Sequence, residues 1–469
     1  MDQHALTYPQ HARAIWKLGL PLILSNVAQF AIHMTDTVML GWYDVTALAA
    51  VTIASSLFFV IFIVGAGFAQ AVTPLVAEAA EEGDEVRVRR VTRMGMWLSI
   101  IYALLVTVPF FWTEDILLAI GQTADVAALG HTYLIIVIWQ MVPALLVWTL
   151  KSFLAALEHT AVILWATAGT AVLNVLVNYL LIFGNWGFPE LGIIGAAIAS
   201  LTVNIVTVGL LVAYIQWKLP QFELFRNFWR SDAEIMLRVF KLGWPIGLTS
   251  LAEGGLFSAS AIMMGWIGAL ELAAHGIALQ LAGLAFMVHI GFSQAATVRA
   301  GRALGRRDAE GLRRGGKTAI GLSAGYALVT STIFLLLPEQ LVALFVDPAD
   351  PDQESIIRIG ASLVMVAALF QLVDGLQVLA LGLLRGVQDT TIPMVMATIS
   401  YWVIGLPAGY VLAFTLGAGA EGLWLGLVIG LGLAAVSLLW RFWARSVRIP
   451  PAAVLAQKIE VAHPQPRDM

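Results

Sequence analysis

The sequence predicts an all-α membrane protein: twelve transmembrane helices in two six-helix bundles, related by a pseudo-two-fold axis along the membrane normal. Three observations predict it. Apolar runs long enough to span a bilayer occur twelve times, the basic residues fall almost entirely on one side of them, and motifs of the first half return in the second at a fixed spacing.

The runs come first. About 20 apolar residues cross the hydrocarbon as a helix. In chain order the candidates are 14–42, 47–77, 91–112, 130–150, 160–184, 192–217, 238–265, 270–299, 316–337, 356–384, 392–415 and 422–445. They are rich in Leu, Ile, Val, Ala and Gly without period-two alternation, which excludes a β-barrel. Helices satisfy their own backbone hydrogen bonds in lipid. The chain is 59% hydrophobic and 12% charged, against about 25% charged in an ordinary soluble protein, so lipid must cover much of its surface. The polar start, MDQHALTYPQ, lacks the basic region of a cleaved signal peptide, and the first run reads as a retained anchor. The absence of Cys excludes disulfides and thiolate metal sites, and a net charge of −4 argues for neither nucleic acid nor an acidic partner.

The segments between the runs set the orientation. With the N-terminus cytoplasmic, inner segments hold every Lys and Arg except Arg358. Positive residues mark the cytoplasmic side, so both termini are expected there, in a cytoplasmic (inner) membrane.

The repeat defines the lobes. Lys17-Leu-Gly-Leu-Pro21 returns as Lys241-Leu-Gly-Trp-Pro245, a shift of 224; Met39-Leu-Gly-Trp42 matches Met263-Met-Gly-Trp266, and Gly67-Phe-Ala-Gln-Ala71 matches Gly291-Phe-Ser-Gln-Ala295. Six is even, so both halves enter from the same side, and the symmetry axis runs along the membrane normal. The expected organisation is an N-terminal lobe at 1–215, a cytoplasmic linker at 216–237, a C-terminal lobe at 238–445 and a cytoplasmic tail at 446–469. Two such bundles enclose a central cleft.

Three acids stand in the apolar runs: Asp36, Glu253 and Asp374. At the bilayer centre each costs roughly 2.5–3.5 kcal/mol on insertion scales. With no basic residue beside them in sequence, they read as uncompensated charges that handle cations. At the 224 shift Asp36 aligns with Ser260 and Glu253 with Gln29. The scaffold recurs and the charges do not. Asp36 also admits a bland reading, a solvated acid at a helix end. Asn174 and Asn178, spaced i and i+4, share one face of the fifth helix. They supply oxygen ligands for Na⁺, a cage for a protonated acid, or simple interhelical glue. Glu253 and Asp374 fall at similar mid-membrane depth, and two neighbouring acids cannot both ionise cheaply. The pair exchanges a proton or binds Na⁺, unless each merely bonds a backbone carbonyl. His33, His275 and His289 have no metal spacing and receive no role. Phe257 and Phe286 are candidates to face the cleft and stack on flat cations. No Walker A or hydrolase pattern appears, and no enzyme is expected.

These residues resemble the multidrug and toxic compound extrusion (MATE) family, NorM-like branch, over about residues 10–445. The marks are Met34-Thr-Asp-Thr-Val-Met-Leu-Gly41, Val172-Leu-Asn-Val-Leu-Val-Asn-Tyr179 with Pro189-Glu-Leu-Gly192, Glu253, and Asp374-Gly-Leu-Gln377 with Leu384-Arg-Gly-Val-Gln-Asp389. The resemblance implies export of hydrophobic organic cations in exchange for Na⁺ or H⁺. Asp36, Asn174 and Asn178 would form an N-lobe ion site, and Glu253 and Asp374 a C-lobe one. The three acids, with Phe257, Phe286 and Phe370, would contact substrate. Where some relatives carry Tyr one turn before the second-lobe Asp, this chain has Phe370, which removes a hydroxyl ligand for Na⁺. The alternative within the superfamily is a lipid-linked precursor flippase, whose anionic cargo calls for cleft arginines that this chain lacks. Expected partners are small organic cations and membrane lipid, with no nucleic acid; the expected state is a monomer without cofactor beyond the coupling ion.

Overall fold

Aspartate caps mark where helices begin beyond the apolar runs. Asp84 Oδ1 accepts from Arg87 N at 2.8 Å, and Asp308 Oδ1, 224 positions later, accepts from Gly311 N at 2.7 Å. Asp44 and Asp232 cap in the same way. Such caps satisfy amide groups left free at a helix start. They carry helices past the hydrocarbon, which is why the helices exceed the apolar runs.

The computed structural model describes residues 6–119, 121–348 and 351–447. Twelve helices are long and apolar enough to cross a membrane. They are α1 Tyr8–Tyr43, α2 Thr46–Glu81, α3 Glu85–Ala119, α4 Ala124–Ala156, α5 Thr160–Phe183 and α6 Ile193–Lys218 in the first half. In the second half they are α7 Ala233–Ile267, α8 Ala269–Gly305, α9 Ala309–Leu336, α10 Gln353–Gly386, α11 Thr391–Thr415 and α12 Gly419–Ser446. All twelve expected runs are present. The tail expected at 446–469 lies, beyond Val447, outside the described residues, as do Arg448, Lys458 and Arg467.

Within the first half, α1 packs on α5 and α2 on α3 and α4; within the second, α10 packs on α8, α9 and α12. Segment 219–232 does not hang free. Arg93 Nη1 donates to the Asn227 carbonyl at 3.0 Å and Trp97 Nε1 to that of Phe228 at 2.8 Å, while Arg90 pairs with Asp232. The connection between halves is clamped along α3.

The halves meet through the repeated motifs themselves. Gly19 of α1 lies against Gly291 and Phe292 of α8, and Gly243 of α7 against Gly67 and Phe68 of α2. Each contact is the other shifted by 224 positions. A Cβ on Gly67 would stand 2.5 Å from the Gly243 carbonyl oxygen, so the backbones approach as closely as only glycine permits. Glu78 of α2, whose counterpart at the 224 shift is Arg302 of α8, pairs with Arg238 of α7 at 3.1 Å. Arg302 pairs with Glu158 at 3.1 Å, and Arg306 with Glu81 at 2.9 Å. Opposite charges at equivalent positions make this basic end of the bundle self-complementary.

At 3.6 residues per turn, the stripe of α1 that carries Gly19 and Ile23 continues through His33 and Thr37. The stripe of α2 with Gly67 and Pro74 runs back through Val60, Ser56 and Thr52. Those of α7 and α8 continue through Ser258 and Gln280. In the basic half these stripes are packed on the other lobe. In the far half His33, Thr37, Thr52, Ser56, Ser258 and Gln280 are exposed. The lobes therefore touch at the basic end and part toward the other, leaving a cleft lined by hydroxyl, imidazole and amide groups. Polar side chains at that depth call for water rather than lipid.

Candidate functional site

The acids stand on the flanks of the cleft stripes. From Gly19 to Asp36 is seventeen residues and from Gly243 to Glu253 ten, which puts both acids on the same flank of equivalent helices, within about 20°. Glu253 sits two turns nearer the basic end. The duplication supplies one flank, and the lobes use it at different depths.

In the N-terminal lobe the flank meets α5. Ser25 and Thr167 hydroxyls lie 3.0 Å apart, and three turns further along Asn178 Nδ2 donates to Asp36 Oδ1 at 2.6 Å. The same nitrogen donates to Asn174 Oδ1 at 3.3 Å. Asn174 and Asn178 are 1% and 0% exposed, and Asn178 Oδ1 and Asn174 Nδ2 have no partner among the described residues. Asp36, Asn174 and Asn178, expected as one site, are together. Tyr133, not expected from the sequence, lies within electrostatic range of Asp36.

In the C-terminal lobe Glu253 of α7 and Asp374 of α10 are within electrostatic range of each other. Glu253 Oε1 and Asp374 Oδ1 are buried without a hydrogen-bond partner among the described residues, as are Gln371 Oε1, Gln377 Oε1 and His289 Nε2. An unpaired buried polar atom is costly, and so many in one region mark a place built to receive a ligand, a proton or water. Gln377 Nε2 donates to the Tyr401 hydroxyl of α11, held inside by a π-helical stretch, Ile399–Gly405. His289 Nδ1 and Ser323 Oγ are 2.8 Å apart, and the imidazole fills the space a side chain at Gly375 would take. His275 accepts from Trp424 Nε1 at 3.0 Å. Both histidines are hydrogen-bonded packing residues. Among the described residues no cluster of three or more His, Asp or Glu could hold a metal ion, so a cation here depends on amide and hydroxyl oxygens beside one or two carboxylates.

The basic group whose charge reaches Glu253 is the Arg385 guanidinium, although no ion pair within 4 Å joins them among the described residues. Eleven residues separate Asp374 from Arg385, three helical turns plus about 20°, so both project from one face of α10. That spacing is the signal the sequence offered; Tyr401, from another helix, offered none.

The aromatic residues are sorted by depth. Phe257, half-buried on the cleft side of α7, packs edge-on against Phe370 at 6.0 Å, which packs edge-on against Trp424 at 5.3 Å. Phe370 is 2% exposed and backs Phe257 instead of facing the cleft. Phe286 stands about 140° around α8 from the cleft stripe, and the structure does not bring it into the cleft.

Comparison with known proteins agrees with this architecture. The MatE family model matches residues 21–180 and 245–411; the two matched stretches begin 224 positions apart. The chain is 48% identical over 452 residues to "Probable multidrug resistance protein NorM" of Rhizobium meliloti (strain 1021), covering 95% of this chain and 97% of that protein. It is 45% identical over 434 residues to the protein of the same description from Agrobacterium fabrum, covering 92% and 93%. Among solved structures, the eukaryotic MATE transporter AtDTX14 superposes with a TM-score of 0.83 at 20% identity, over 94% of this chain and 98% of that one. A chain described as the outward-facing conformation of a multidrug resistance MATE family transporter of the MOP superfamily also gives 0.83 at 20% identity, over 93% and 97%. With both lobes matched and relatives far above 30% identity over nearly full length, the chain belongs to the MatE (multidrug and toxic compound extrusion) family of integral membrane transporters.

Proposed function

We propose that the protein is a secondary active multidrug efflux antiporter that exports hydrophobic organic cations in exchange for Na⁺ or H⁺ by alternating access. The basic end is cytoplasmic by the positive-inside rule, in the inner membrane, and the conformation described is open to the outside. The relatives described as multidrug resistance proteins support the substrate class.

The observation that carries this reading is the pairing of a one-sided cleft with buried carboxylates on the same flank of both lobes. A cation entering from outside finds Asp36 with Asn178, or Glu253 with Asp374, and neutralises them. A bound organic cation, held by that charge and by the face of Phe257, is released. Reversal of the α1–α8 and α2–α7 contacts then exposes the site to the cytoplasm. The incoming ion must bind the two conformations unequally, or it shifts nothing. A one-for-one exchange of monovalent cations moves no net charge, so the drive is the concentration gradient of the incoming ion, about 1.4 kcal/mol for each tenfold.

The test is ethidium efflux from proteoliposomes containing the purified protein, with a proton or a sodium gradient imposed separately. Efflux driven by one of them is the expected result. Equal efflux with neither gradient would overturn the antiport reading.

A further inference from the structure

The repeated glutamines, Gln70 of α2 and Gln294 of α8, both reach across the lobe boundary, to different partners. Gln294 Oε1 accepts from Asn26 Nδ2 of α1 at 3.3 Å, a neutral contact. Gln70 Oε1 accepts from Arg385 Nη1 of α10 at 3.3 Å, a charged one. At the 230 shift that aligns Leu154–Thr160 with Leu384–Thr390, the counterpart of Arg385 is Ala155. The guanidinium exists on one lobe only, the lobe that carries Glu253 and Asp374.

Arg385 is half-buried, in the last turn of α10 before the basic surface. The groups facing it are Gln70 from α2, Glu253 from α7 and Tyr401 from α11. It makes no ion pair within 4 Å among the described residues. Its direct contact is the Gln70 amide oxygen of the other lobe, and Glu253 is the acid whose charge acts on it from a distance. The Arg385 side chain is long enough to reach water at the basic end instead, because arginine stems extend toward the interface when nothing inside holds the head.

We propose that Arg385 is the positioning residue that locks the empty transporter: while Glu253 is anionic it keeps the guanidinium inside on Gln70 and the basic end shut, and a cation on the acids releases it. The proposal rests on the antiport reading and deepens it. An antiporter must not change conformation empty, or it dissipates the gradient. With Glu253 neutralised, the inward pull on Arg385 ends, the guanidinium moves to water, and the α2–α10 contact across the lobes is lost. The contact of the repeated glutamine, Gln294 with Asn26, carries no charge and does not respond.

Because the chain has no Cys, a single introduced thiol reports on the basic end. Ala303 of α8, 2% exposed, lines a small cavity at the basic end with His11 and Ile15 of α1, from the other lobe, and is covered while that end is shut. In an Ala303→Cys background, labelling by a water-soluble maleimide added from the cytoplasmic side should rise about tenfold when the coupling ion is supplied. In Ala303→Cys with Arg385→Gln it should be fast with and without the ion. Glu253→Gln, with Arg385 intact, should also be fast without the ion, and Arg385→Lys should restore part of the ion dependence. An Arg385→Gln protein that keeps the ion-dependent rise of its parent overturns the lock. Should Arg385→Gln fail to fold, Gln70→Leu tests the same contact from the other side, with slow, ion-dependent labelling as the overturning result. No ion response in the parent protein, with Na⁺ and H⁺ each supplied, overturns the antiport reading itself.

Discussion

Gly67 and Gly243 meet backbone to backbone across the lobe boundary, with room for no side chain between them. A substitution there acts on one conformation of the transporter. Gly67→Val should wedge the basic end. Overpacking costs typically 1–3 kcal/mol, roughly five- to 150-fold in the population of the shut state. Efflux should fall about tenfold or more while membrane insertion is normal, and the Ala303→Cys thiol should label fast without ion. Normal efflux would show that the glycine contact is not part of the cycle.

Asp374→Asn and Glu253→Gln keep shape and hydrogen bonding and remove charge. Each should abolish gradient-driven ethidium efflux, and detergent-solubilised protein should elute and melt like the parent. Asp374→Asn relieves burial of a charge, so any change in its melting temperature should be upward, whereas Glu253→Gln also takes a counter-charge from Arg385 and should not gain. Wild-type efflux by both would remove the C-lobe site from the mechanism.

The N-terminal site is probed at Asn178, whose Nδ2 bridges Asp36 and Asn174. Asn178→Leu deletes both bonds. Interhelical hydrogen bonds in membranes average about 0.6 kcal/mol, so stability should hardly change. If the amide belongs to an ion cage, efflux should drop about tenfold or more. A small loss of stability with efflux intact would identify the asparagines as glue between α1 and α5.

The charged lattice at the basic end has its centre in Glu78, which accepts from Arg87 at 2.6 Å, Gln388 at 2.7 Å and Arg238 at 3.1 Å. Glu78→Gln should lower the melting temperature by a few degrees, since partly exposed pairs contribute about 0–1 kcal/mol each. It should also make labelling of the Ala303→Cys thiol faster. Salt should reproduce part of the effect in the parent. Indifference to both would show that the Glu78 lattice does not help to keep the end shut.

His159, between α4 and α5, has Nδ1 2.9 Å from the Tyr214 hydroxyl, and burial lowers its pKa from the usual 6.5 despite Glu158 beside it. A histidine held neutral in the fold contributes stability in full above its unfolded pKa, and loses it as pH falls through the lower folded value. Melting curves from pH 7.5 down should therefore show a loss below about 6.5 that His159→Gln flattens. An unchanged pH profile in that variant would discharge this histidine.

Much of the molecule was legible in the chain. The twelve helices were, because a run that must satisfy its backbone in lipid has one available structure. The duplication was, because Lys17–Pro21 with Lys241–Pro245 and Gly67–Ala71 with Gly291–Ala295 keep one spacing. That Asn174 and Asn178 share a face of α5 could be read from their i, i+4 spacing, while their meeting with Asp36 was implied only by the family resemblance. That those repeated glycines are the lobe contact, and that it is made only in the basic half, could not.

Sequence alone determined what kind of surfaces exist: which residues lie in hydrocarbon, which lie on one helix face, and that carboxylates stand among them. Only the tertiary structure decided which faces meet. It put Phe370 behind Phe257, turned Phe286 away from the cleft, brought Tyr401 to Gln377, and set Arg385 in range of Glu253. The physical reason is that periodicity is a local property of one helix. Partnership depends on the rotation and tilt of helices far apart in the chain, and a charge is compensated by whatever stands near it in space.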